Sequence, residues 1–322
     1  MPTALPLPPR ALPRRFRQPR LLLAGCGDVA ARIAGQLNAH ATRYRIRALL
    51  RHAPDSPEWA RWRALGTTPI RADLDHPRSL QRLRGIADSA IYLAPPVDNQ
   101  PEDRRLNRFL AALHGGRSLP RRLVLIGTTG VYGDRGGALI DETCPVRPQT
   151  ARGKRRVSAE CILRRWRRGR SRAGLTQAAG QRQTGGILRV PGIYAADRLP
   201  IERLRAGTPA LRRQDDTWTN HIHADDLARI SWLALVRSGS LRAINTCDDS
   251  QLPMGDWFDA VADATGMARP ERLPREELKT RVSPMLYSFM SESRRLTNTR
   301  LKRELRIRLR YPTVHDFLAT LQ

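Results

Sequence analysis

The sequence predicts an α/β fold in which a doubly wound parallel β-sheet carries helices on both faces. Two observations predict it. Short apolar segments alternate with amphipathic segments from Leu21 to residue 134, and this alternation is typical of βαβ units. The first apolar segment also runs through a glycine-containing turn directly into a helix. With 322 residues, the chain is long enough for about two domains of roughly 150 residues each.

The first strand, turn and helix carry a ligand-binding pattern. Leu21–Ala24 are apolar, and apolar residues recur at helical spacing a few positions later. Between them, Gly25-x-Gly27-x-x-Ala30 matches the fingerprint of Rossmann-type dinucleotide-binding folds. The first glycine makes the turn, the second lets a pyrophosphate approach the backbone, and the small third residue lets helix pack on strand. We therefore predict a phosphate site at the helix N-terminus, formed by Gly25, Gly27, Asp28, Val29 and Ala30.

The later elements keep the same alternation, and such a sheet binds ligands at the carboxyl ends of its strands. Apolar runs indicate the strands, and helical spacing indicates the helices. A polar, Gly-rich stretch over 169–186 is longer than the usual connection between helix and strand, and it predicts an insertion. The predicted strands cover 42–51, 68–75, 89–96, 121–134 and 187–190, and the predicted helices cover 58–66, 77–86, 104–113 and 150–163.

Two residues near predicted strand ends bear on the choice of dinucleotide. An acid about 20 residues after the glycines would accept a hydrogen bond from the ribose 2′-hydroxyl of NAD, whereas an Arg there suits the 2′-phosphate of NADP. The chain has Arg51 at this place and no acid between Asp28 and Pro54. NADP is therefore favoured, and NAD stays the alternative because arginine is abundant throughout. Asp73 is predicted either near the adenine end of the ligand or in a turn or helix cap.

Arginine dominates the charge of the chain. There are 57 Lys and Arg residues against 30 Asp and Glu, a formal net charge of +27, and only Lys154, Lys279 and Lys302 are lysine. Such a charge is typical of nucleic-acid binding. The arginines are spread along the chain, however, and Ala, Gly and Pro are also abundant, so a GC-rich coding composition explains them at least as well. Nucleic acid is therefore not the expected partner.

Cysteine spacing and composition indicate the compartment. The four cysteines lie far apart in no metal-ligand spacing, which predicts a reduced, cytoplasmic protein without disulfides or a zinc site. His221 and His223 are spaced like metal ligands on a strand, but no third ligand is evident, so no metal is predicted. No apolar run approaches the roughly 20 residues that span a bilayer, so no membrane partner is expected. Residues 1–19, basic and Pro-rich, are expected to be a disordered tail.

Seven short segments follow one another in a specific order: GCGDVA, DLD, YLAPP, TTGVYGD, DETCPVRPQT, ILRVPGIYA and TNHIHADDLA. In this order they resemble the NAD-dependent epimerase/dehydratase branch of the short-chain dehydrogenase/reductase superfamily, in its extended and atypical members. The resemblance covers about residues 20–250. It implies a Rossmann domain over 20–195 that holds the dinucleotide, and a C-terminal part over 196–322 that is mostly a smaller substrate lobe. Within that part, residues 220–247 are expected to return to the sheet.

The resemblance also implies roles for particular residues. Thr128 lies four positions before Tyr132, where the family has a catalytic Ser or Thr whose hydroxyl hydrogen-bonds a reacting sugar or ketone oxygen. Asp225 is predicted to cap the helix that follows His223. Contacts with the cofactor are implied for Leu93, Ala94 and Pro95, and for Pro191, Gly192 and Ile193, which pass the nicotinamide.

The chain departs from the family at its acid/base pair. The family has a catalytic Tyr and Lys four residues apart on the helix that begins near residue 150. Counting back from Glu160 puts Arg152 and Arg156 at these positions, and no Tyr lies between Tyr132 and Tyr194. An arginine, with a pKa above about 12, cannot replace a tyrosinate near pH 7. Since residues four apart share a helix face, both guanidinium groups are predicted to hold an anionic substrate at the cofactor cleft. The alternatives are that this face turns outward, or that Arg156 forms a surface pair with Glu160.

Three functions stay open at this point. The first is an NADP-dependent oxidoreductase or epimerase-like enzyme in which Thr128 polarises a carbonyl and the two arginines hold a small anionic substrate. The second is a non-catalytic dinucleotide-binding sensor or scaffold, and the third is a nucleic-acid-associated protein. Turnover with the cofactor separates the first two, and salt-dependent nucleic-acid binding tests the third. A homodimer through the helices at 104–113 and 157–166 is expected, as the family commonly forms one there.

Overall fold

The computed structural model describes residues 18–40, 44–97, 100–114, 120–172, 184–239 and 241–321. Most of the predicted tail lies outside the described residues, but Pro19 O already accepts a hydrogen bond from Arg45 N at 2.9 Å. Of the predicted insertion over 169–186, residues 173–183 lie outside the described residues, and an α-helix continues to Arg172 before them. Among the helices that the structure describes, none combines the length and the apolar character needed to cross a membrane.

The described residues form short strands and helices, numbered here in chain order. The strands are β1 (Arg20–Ala24), β2 (Arg45–Leu50), β3 (Thr68–Arg71), β4 (Ser89–Tyr92), β5 (Arg122–Ile126), β6 (Leu139–Ile140), β7 (Gly186–Arg189), β8 (Gly192–Tyr194), β9 (Ala210–Leu211), β10 (Trp218–Thr219), β11 (His221–His223), β12 (Arg242–Asn245), β13 (Leu252–Pro253), β14 (Arg272–Leu273) and β15 (Arg295–Leu296). The α-helices are α1 (Asp28–Ala39), α2 (Pro57–Ala64), α3 (Arg104–His114), α4 (Ala151–Arg172), α5 (Ile201–Arg205), α6 (Ala224–Arg237), α7 (Met254–Thr265), α8 (Arg275–Arg281), α9 (Pro284–Met290), α10 (Thr299–Leu305) and α11 (Val314–Leu318). Short 3-10 helices lie at Pro77–Leu83, Thr129–Tyr132, Ala196–Arg198, Arg213–Asp215 and Ala319–Leu321.

Seven of these strands form one sheet, in the order β12-β7-β5-β4-β1-β2-β3. Every neighbouring pair in it runs parallel. The direction of winding reverses between β1 and β4, and ligands of doubly wound sheets bind at the carboxyl ends of the strands at such a point. The predicted Rossmann-type α/β fold is confirmed.

Helices cover both faces of the sheet with fully buried apolar side chains. On one face, α1, α2 and α6 contribute Ile33, Trp62 and Leu227 to the core. On the other face, α3 and α4 contribute Phe109 and Leu163. Burial of this kind stabilises by roughly 25 cal/mol per Å² of apolar surface, so the two layers hold the strand ends in fixed positions.

The chain after β8 builds smaller apolar clusters. Trp257 and Phe258 of α7 pack with Phe317 of α11 and with Tyr194. A further cluster joins α8 and α9 and includes Met290. Between these segments the chain returns to the large sheet, where β12 pairs with β7 and forms an edge of the sheet.

Several predicted elements differ from the observed ones. The helix predicted over 77–86 is a 3-10 helix over Pro77–Leu83, with bonds three residues apart such as Ser79 N to His76 O at 3.0 Å. The strand predicted over 68–75 stops at Arg71, and the strand predicted over 121–134 stops at Ile126 before a 3-10 turn. The strand predicted over 187–190 is β7, which ends at Arg189, two residues before Pro191. The strand β8, which follows Pro191 and was not predicted, pairs with β11 outside the large sheet.

Candidate active site

The turn after β1 has a backbone that only glycine suits at its first position. Gly25 has a φ of +96°, and a Cβ atom there would lie 2.3 Å from Ala94 N. The N–H groups of Leu93 and Ala94 both donate to Ala24 O, at 2.6 and 3.2 Å, so the segment after β4 lies against this turn before it continues to the exposed Pro95. Gly25 is therefore required by the fold itself.

Gly27 has a different role, because a Cβ atom there would meet nothing within 4 Å. It is the N-cap of α1 and makes no side-chain capping bond. The N–H groups of Asp28, Val29 and Ala30 belong to the first turn and have no carbonyl partner within the helix. Open space, N–H donors and the positive end of the helix dipole together fit a pyrophosphate. The fully buried Ala30 lets α1 pack closely on the sheet.

Arg32 of α1 holds this end of the helix to the C-terminal part of the chain. Its guanidinium bonds the carboxylates of Asp28 at 2.9 Å, Asp197 at 2.7 Å and Asp225 at 2.8 Å. The predicted capping role of Asp225 is wrong: the N-cap of α6 is His223, whose Nδ1 accepts from Asp225 N at 3.2 Å. The Asp225 side chain serves the ion pair instead, because a first-turn carboxylate can turn toward a neighbouring guanidinium.

A cavity of about 220 Å³ lies beside the glycine turn, at the carboxyl ends of β2 and β3. Gly25, Arg51 and Asp73 line it. Arg51 is exposed and forms no ion pair with any residue that the structure describes, so its donors are available to a ligand. Asp73 forms a turn, which was one of the two roles predicted for it, since its Oδ1 accepts a hydrogen bond from Asp75 N at 2.9 Å. Its carboxylate still borders the cavity.

A larger cavity, of about 460 Å³, lies at the carboxyl ends of β5 and β7. It brings together Thr128, Arg152, Arg156 and the segment Pro191, Gly192 and Ile193. Thr128 is the N-cap of the 3-10 helix after β5, and its Oγ1 accepts from Gly130 N at 3.2 Å. Accepting this bond leaves the hydroxyl hydrogen free to donate.

A close approach of α4 to the turn after β5 sets both arginines beside Thr128. A Cβ atom at the buried Gly153 would lie 2.9 Å from Gly130 O and 2.9 Å from Pro148 Cβ. Only a residue without a side chain permits this contact. Gly153 was not predicted from the sequence, where its sole signal was its place next to Arg152.

The two arginines of α4 have different surroundings. Arg152 is exposed, and its Cζ lies 3.8 Å from the centre of the Phe289 ring. Arg156 is half-buried and donates from Nη1 to Ile126 O at 3.2 Å. Burial lowers the pKa of Arg156, and the nearby Asp103 carboxyl opposes this change. Both side chains stay cations near pH 7, so neither can act as a general acid or base.

The alternative pairing of Arg156 with Glu160 is wrong. Glu160 is buried and accepts from Nε and Nη2 of Arg189, both at 2.9 Å, with Arg164 at 3.4 Å as a weaker partner. The Glu160 carboxylate raises the pKa of Arg189 against the opposing effect of burial. This ion pair connects α4 to β7. Because Glu160 is bound by Arg189, it does not pair with Arg156, whose side chain lines the cavity.

Most of the remaining cavity wall was not predicted from the sequence. Five arginines line this cavity, and Glu292 is the one acid among the described lining residues. The missed residues come from distant parts of the chain and carried no local signal. They include Arg198, Arg203, Trp218, Trp257, Phe258, Phe289 and Arg294. An excess of guanidinium groups makes the cavity suited to an anion.

Two further groups on the wall are poorly placed as proton donors. The Tyr194 hydroxyl donates to Asp248 Oδ2 at 3.0 Å, and burial raises the pKa of Tyr194 and brings that of Asp248 to about 7. Burial lowers the pKa of His221 to about 3, so its imidazole is neutral near pH 7. His221 and His223 pack among aromatic rings, and the described residues contain no group of three side chains suited to a metal ion.

Similarity to known proteins comes from solved structures. No family model and no curated protein matches the chain. A conserved protein of unknown function from Silicibacter pomeroyi is similar with a TM-score of 0.73 and 27% identity, over 94% of this chain and 98% of that one. A protein described as an NAD-dependent epimerase/dehydratase from Methylobacillus flagellatus gives 0.68 and 25%, over 94% and 97%. The predicted resemblance to the epimerase/dehydratase branch is confirmed.

The epimerase/dehydratase fold is shared with more distant structures. The UDP-glucose 4-epimerase of Thermus thermophilus, solved in complex with NAD, has a TM-score of 0.69 and 19% identity, over 94% of this chain and 98% of that one. At this identity the likeness shows the fold alone. Because nearly the full length of each protein is covered, the shared architecture extends to the segments after the large sheet.

Proposed function

We propose that the chain binds a nicotinamide dinucleotide, NADP in preference to NAD, and acts as an oxidoreductase or epimerase-like enzyme on a small anionic substrate. The observation that supports this proposal most is that Thr128, Arg152, Arg156 and Ile193 line the same cavity. The glycine turn at Gly27 supports the dinucleotide, and so do solved relatives in complex with NAD. A homodimer through α3 and α4 belongs to the same proposal.

The proposed chemistry assigns a separate task to each group. The dinucleotide, when bound, supplies or accepts a hydride. The Thr128 hydroxyl donates a hydrogen bond to a carbonyl oxygen of the substrate and so polarises that carbonyl. Arg152 and Arg156 hold an anionic part of the substrate, because their charge is fixed at neutral pH. The bond from Arg156 to Ile126 O orients the Arg156 guanidinium.

Arg51 is expected to favour NADPH over NADH. A guanidinium can pair two donors with a 2′-phosphate, and hydrogen bonds to charged groups contribute about 1.5–3 kcal/mol. Arg51→Ala should therefore weaken NADPH binding by roughly 10- to 100-fold and leave NADH binding unchanged, as measured by fluorescence titration. Arg71→Ala, which removes an exposed arginine at the end of the neighbouring strand β3, is the matched control. Equal affinities for both dinucleotides in the wild-type protein would contradict the preference.

Restoring the family's acid/base pair tests the catalytic proposal. In the double variant Arg152→Tyr and Arg156→Lys, the lysine lowers the tyrosine pKa toward the working range. We expect this variant to gain NADPH-dependent reduction of carbonyl compounds, measured by NADPH absorbance, and Thr128→Val added to it should remove the gain.

The single variants separate the alternatives. If wild-type turnover is lost in Arg152→Ala, the arginines already take part in the reaction, as proposed for substrate binding. If turnover does not respond to Arg152→Ala, Arg156→Ala or Thr128→Val, the cavity is not the catalytic site and the proposal fails. Full dinucleotide binding without turnover in any variant would favour a sensor or scaffold.

A further inference from the structure

The segment that follows α10 exposes an arginine at every second position. Arg306, Arg308 and Arg310 are exposed, whereas Ile307 and Leu309 between them pack into the core that contains α6. This alternation is that of an extended chain, in which residues two apart point to the same side and lie roughly 6.6 Å apart. The three guanidinium groups therefore form a row on the surface, which is called the arginine row below.

The two arginines of α6 fix this segment to the helix and add charge beside the row. Arg237 donates from Nη1 to Leu305 O at 2.6 Å and to Arg306 O at 3.3 Å. Arg229 donates from Nη1 to Arg308 O at 3.1 Å. Each of these bonds goes to an uncharged backbone carbonyl, so both guanidinium groups keep their positive charge. The arginine row and the two helix arginines therefore form one continuous basic surface.

Neither the arginine row nor the two arginines of α6 have a carboxylate partner in the described part of the chain. Asp226 lies beside the row, but it is only 1% exposed and accepts from the backbone N–H groups of Arg310 at 2.8 Å and Tyr311 at 3.0 Å. Glu304 pairs with Arg242 at 2.9 Å instead. The surface thus carries charge of one sign, and an anionic partner would relieve the repulsion within it.

The surroundings of the row distinguish between two kinds of anionic partner. Single-stranded nucleic acid binds where cations are combined with aromatic rings on which the bases stack. Tyr311 follows the row, but its ring contacts His223, Phe317 and Arg310, so little of it is left for stacking. An extended peptide with acidic residues at alternate positions has the same two-residue period as the row, and a guanidinium can bind each carboxylate with two hydrogen bonds.

We propose that the arginine row binds an acidic, extended segment of a partner protein. The arginines of the row line neither the large cavity nor the cavity beside the glycine turn. The inference therefore does not depend on the proposed function, and either one can fail without the other.

Binding of a short fluorescein-labelled peptide of alternating Glu and Ser residues, measured by fluorescence anisotropy, tests the proposal. Physiological ionic strength is used, because it largely screens the attraction of distant charges. The triple variant Arg306→Gln, Arg308→Gln and Arg310→Gln removes the charges of the row. We expect the peptide Kd to rise at least about fivefold, since three guanidinium–carboxylate pairs are lost together. Should this variant not fold in circular dichroism, Arg308→Glu replaces it, with a loss of affinity again expected.

A second triple variant controls for the loss of net charge. Arg78→Gln, Arg82→Gln and Arg84→Gln remove arginines that are also exposed and form no ion pair with any residue that the structure describes. They lie in and directly after the 3-10 helix over Pro77–Leu83, which packs on the face of the large sheet opposite to α6. This variant loses the same charge, and it should keep the peptide Kd within about twofold of the wild-type value.

Three results would overturn the inference. The first is the absence of saturable peptide binding to the wild-type protein. The second is an equal loss of affinity in the two triple variants, because it would indicate attraction by net charge alone. The third is tighter binding of a thymidine oligonucleotide with the same number of charges and the same dependence on the row, because it would identify nucleic acid as the partner.

Discussion

Gly27→Val is expected to abolish dinucleotide binding while the protein still folds. A Cβ atom at Gly27 meets no protein atom within 4 Å, so the larger side chain is accommodated, but it occupies the space where a pyrophosphate would approach the helix N-terminus. We expect the Kd for NADPH to rise by at least about 100-fold, which corresponds to about 2.8 kcal/mol. Fluorescence titration measures the affinity, and circular dichroism with thermal unfolding establishes that the variant is folded.

A second glycine of the same helix provides the control for Gly27. Gly35 also faces open space, with nothing within 4 Å of an added Cβ atom, but it lies two turns further along α1. Gly35→Val should bind NADPH as the wild-type protein does. Tight NADPH binding by a folded Gly27→Val variant would contradict the dinucleotide site. Replacing Gly25 would not give a clear result, because its positive φ and its contact with Ala94 N make any side chain there strained.

Glu160→Ala is expected to have the largest effect on stability. Its carboxylate is buried and receives two hydrogen bonds from Arg189, whose side chain is itself only 5% exposed. Removing one partner of a buried ion pair leaves an uncompensated charge, which typically costs about 3–5 kcal/mol. Since Nη1 of Arg189 already has no partner among the described residues, little else can take over. Urea unfolding should show this loss in the free energy of unfolding.

Two further variants test whether the loss of stability comes from the pair of Glu160 with Arg189. Arg164→Ala removes the more exposed partner of Glu160, which is 3.4 Å away, and should cost less than about 1 kcal/mol. Adding Arg189→Met to Glu160→Ala should recover much of the stability, because an apolar pair can replace a buried ion pair. A loss below about 1 kcal/mol in Glu160→Ala would show that the pair does not hold α4 to β7.

Local patterns predicted the strand, turn and helix of the glycine-containing segment well. The turn after β1 depends on Gly25, Gly27 and Ala30, which lie within six residues, so their spacing alone specifies the strand, the turn and the helix. Arg51 and Thr128 each follow a buried strand, and parallel strands bring such residues to one edge of the sheet. The positions of these residues can be predicted from the sequence because one or two neighbouring elements determine them.

The rest of the cavity depends on contacts between distant segments. Arg156 and Glu160 have the spacing of a helical ion pair, yet Glu160 is taken by Arg189, which lies on a strand 29 residues away. Asp225 has the composition of a helix cap, but Arg32 of α1 binds it. Arg203 is one arginine among many in the sequence, and only its packing against Phe258 and the absence of a described acid beside it distinguish it. Such features follow from three-dimensional packing, which single-sequence spacing does not contain.

The structure of the protein in complex with NADPH is the measurement that tests the central claim most directly. We expect the pyrophosphate over Gly27, the 2′-phosphate at Arg51, and the nicotinamide in the large cavity beside Pro191–Ile193. There, the nicotinamide C4 should lie roughly 4–6 Å from Thr128 Oγ1, so that one substrate carbonyl can contact both. A nicotinamide bound outside this cavity, or a cavity whose Thr128 and Arg156 do not face the nicotinamide, would contradict the proposed active site.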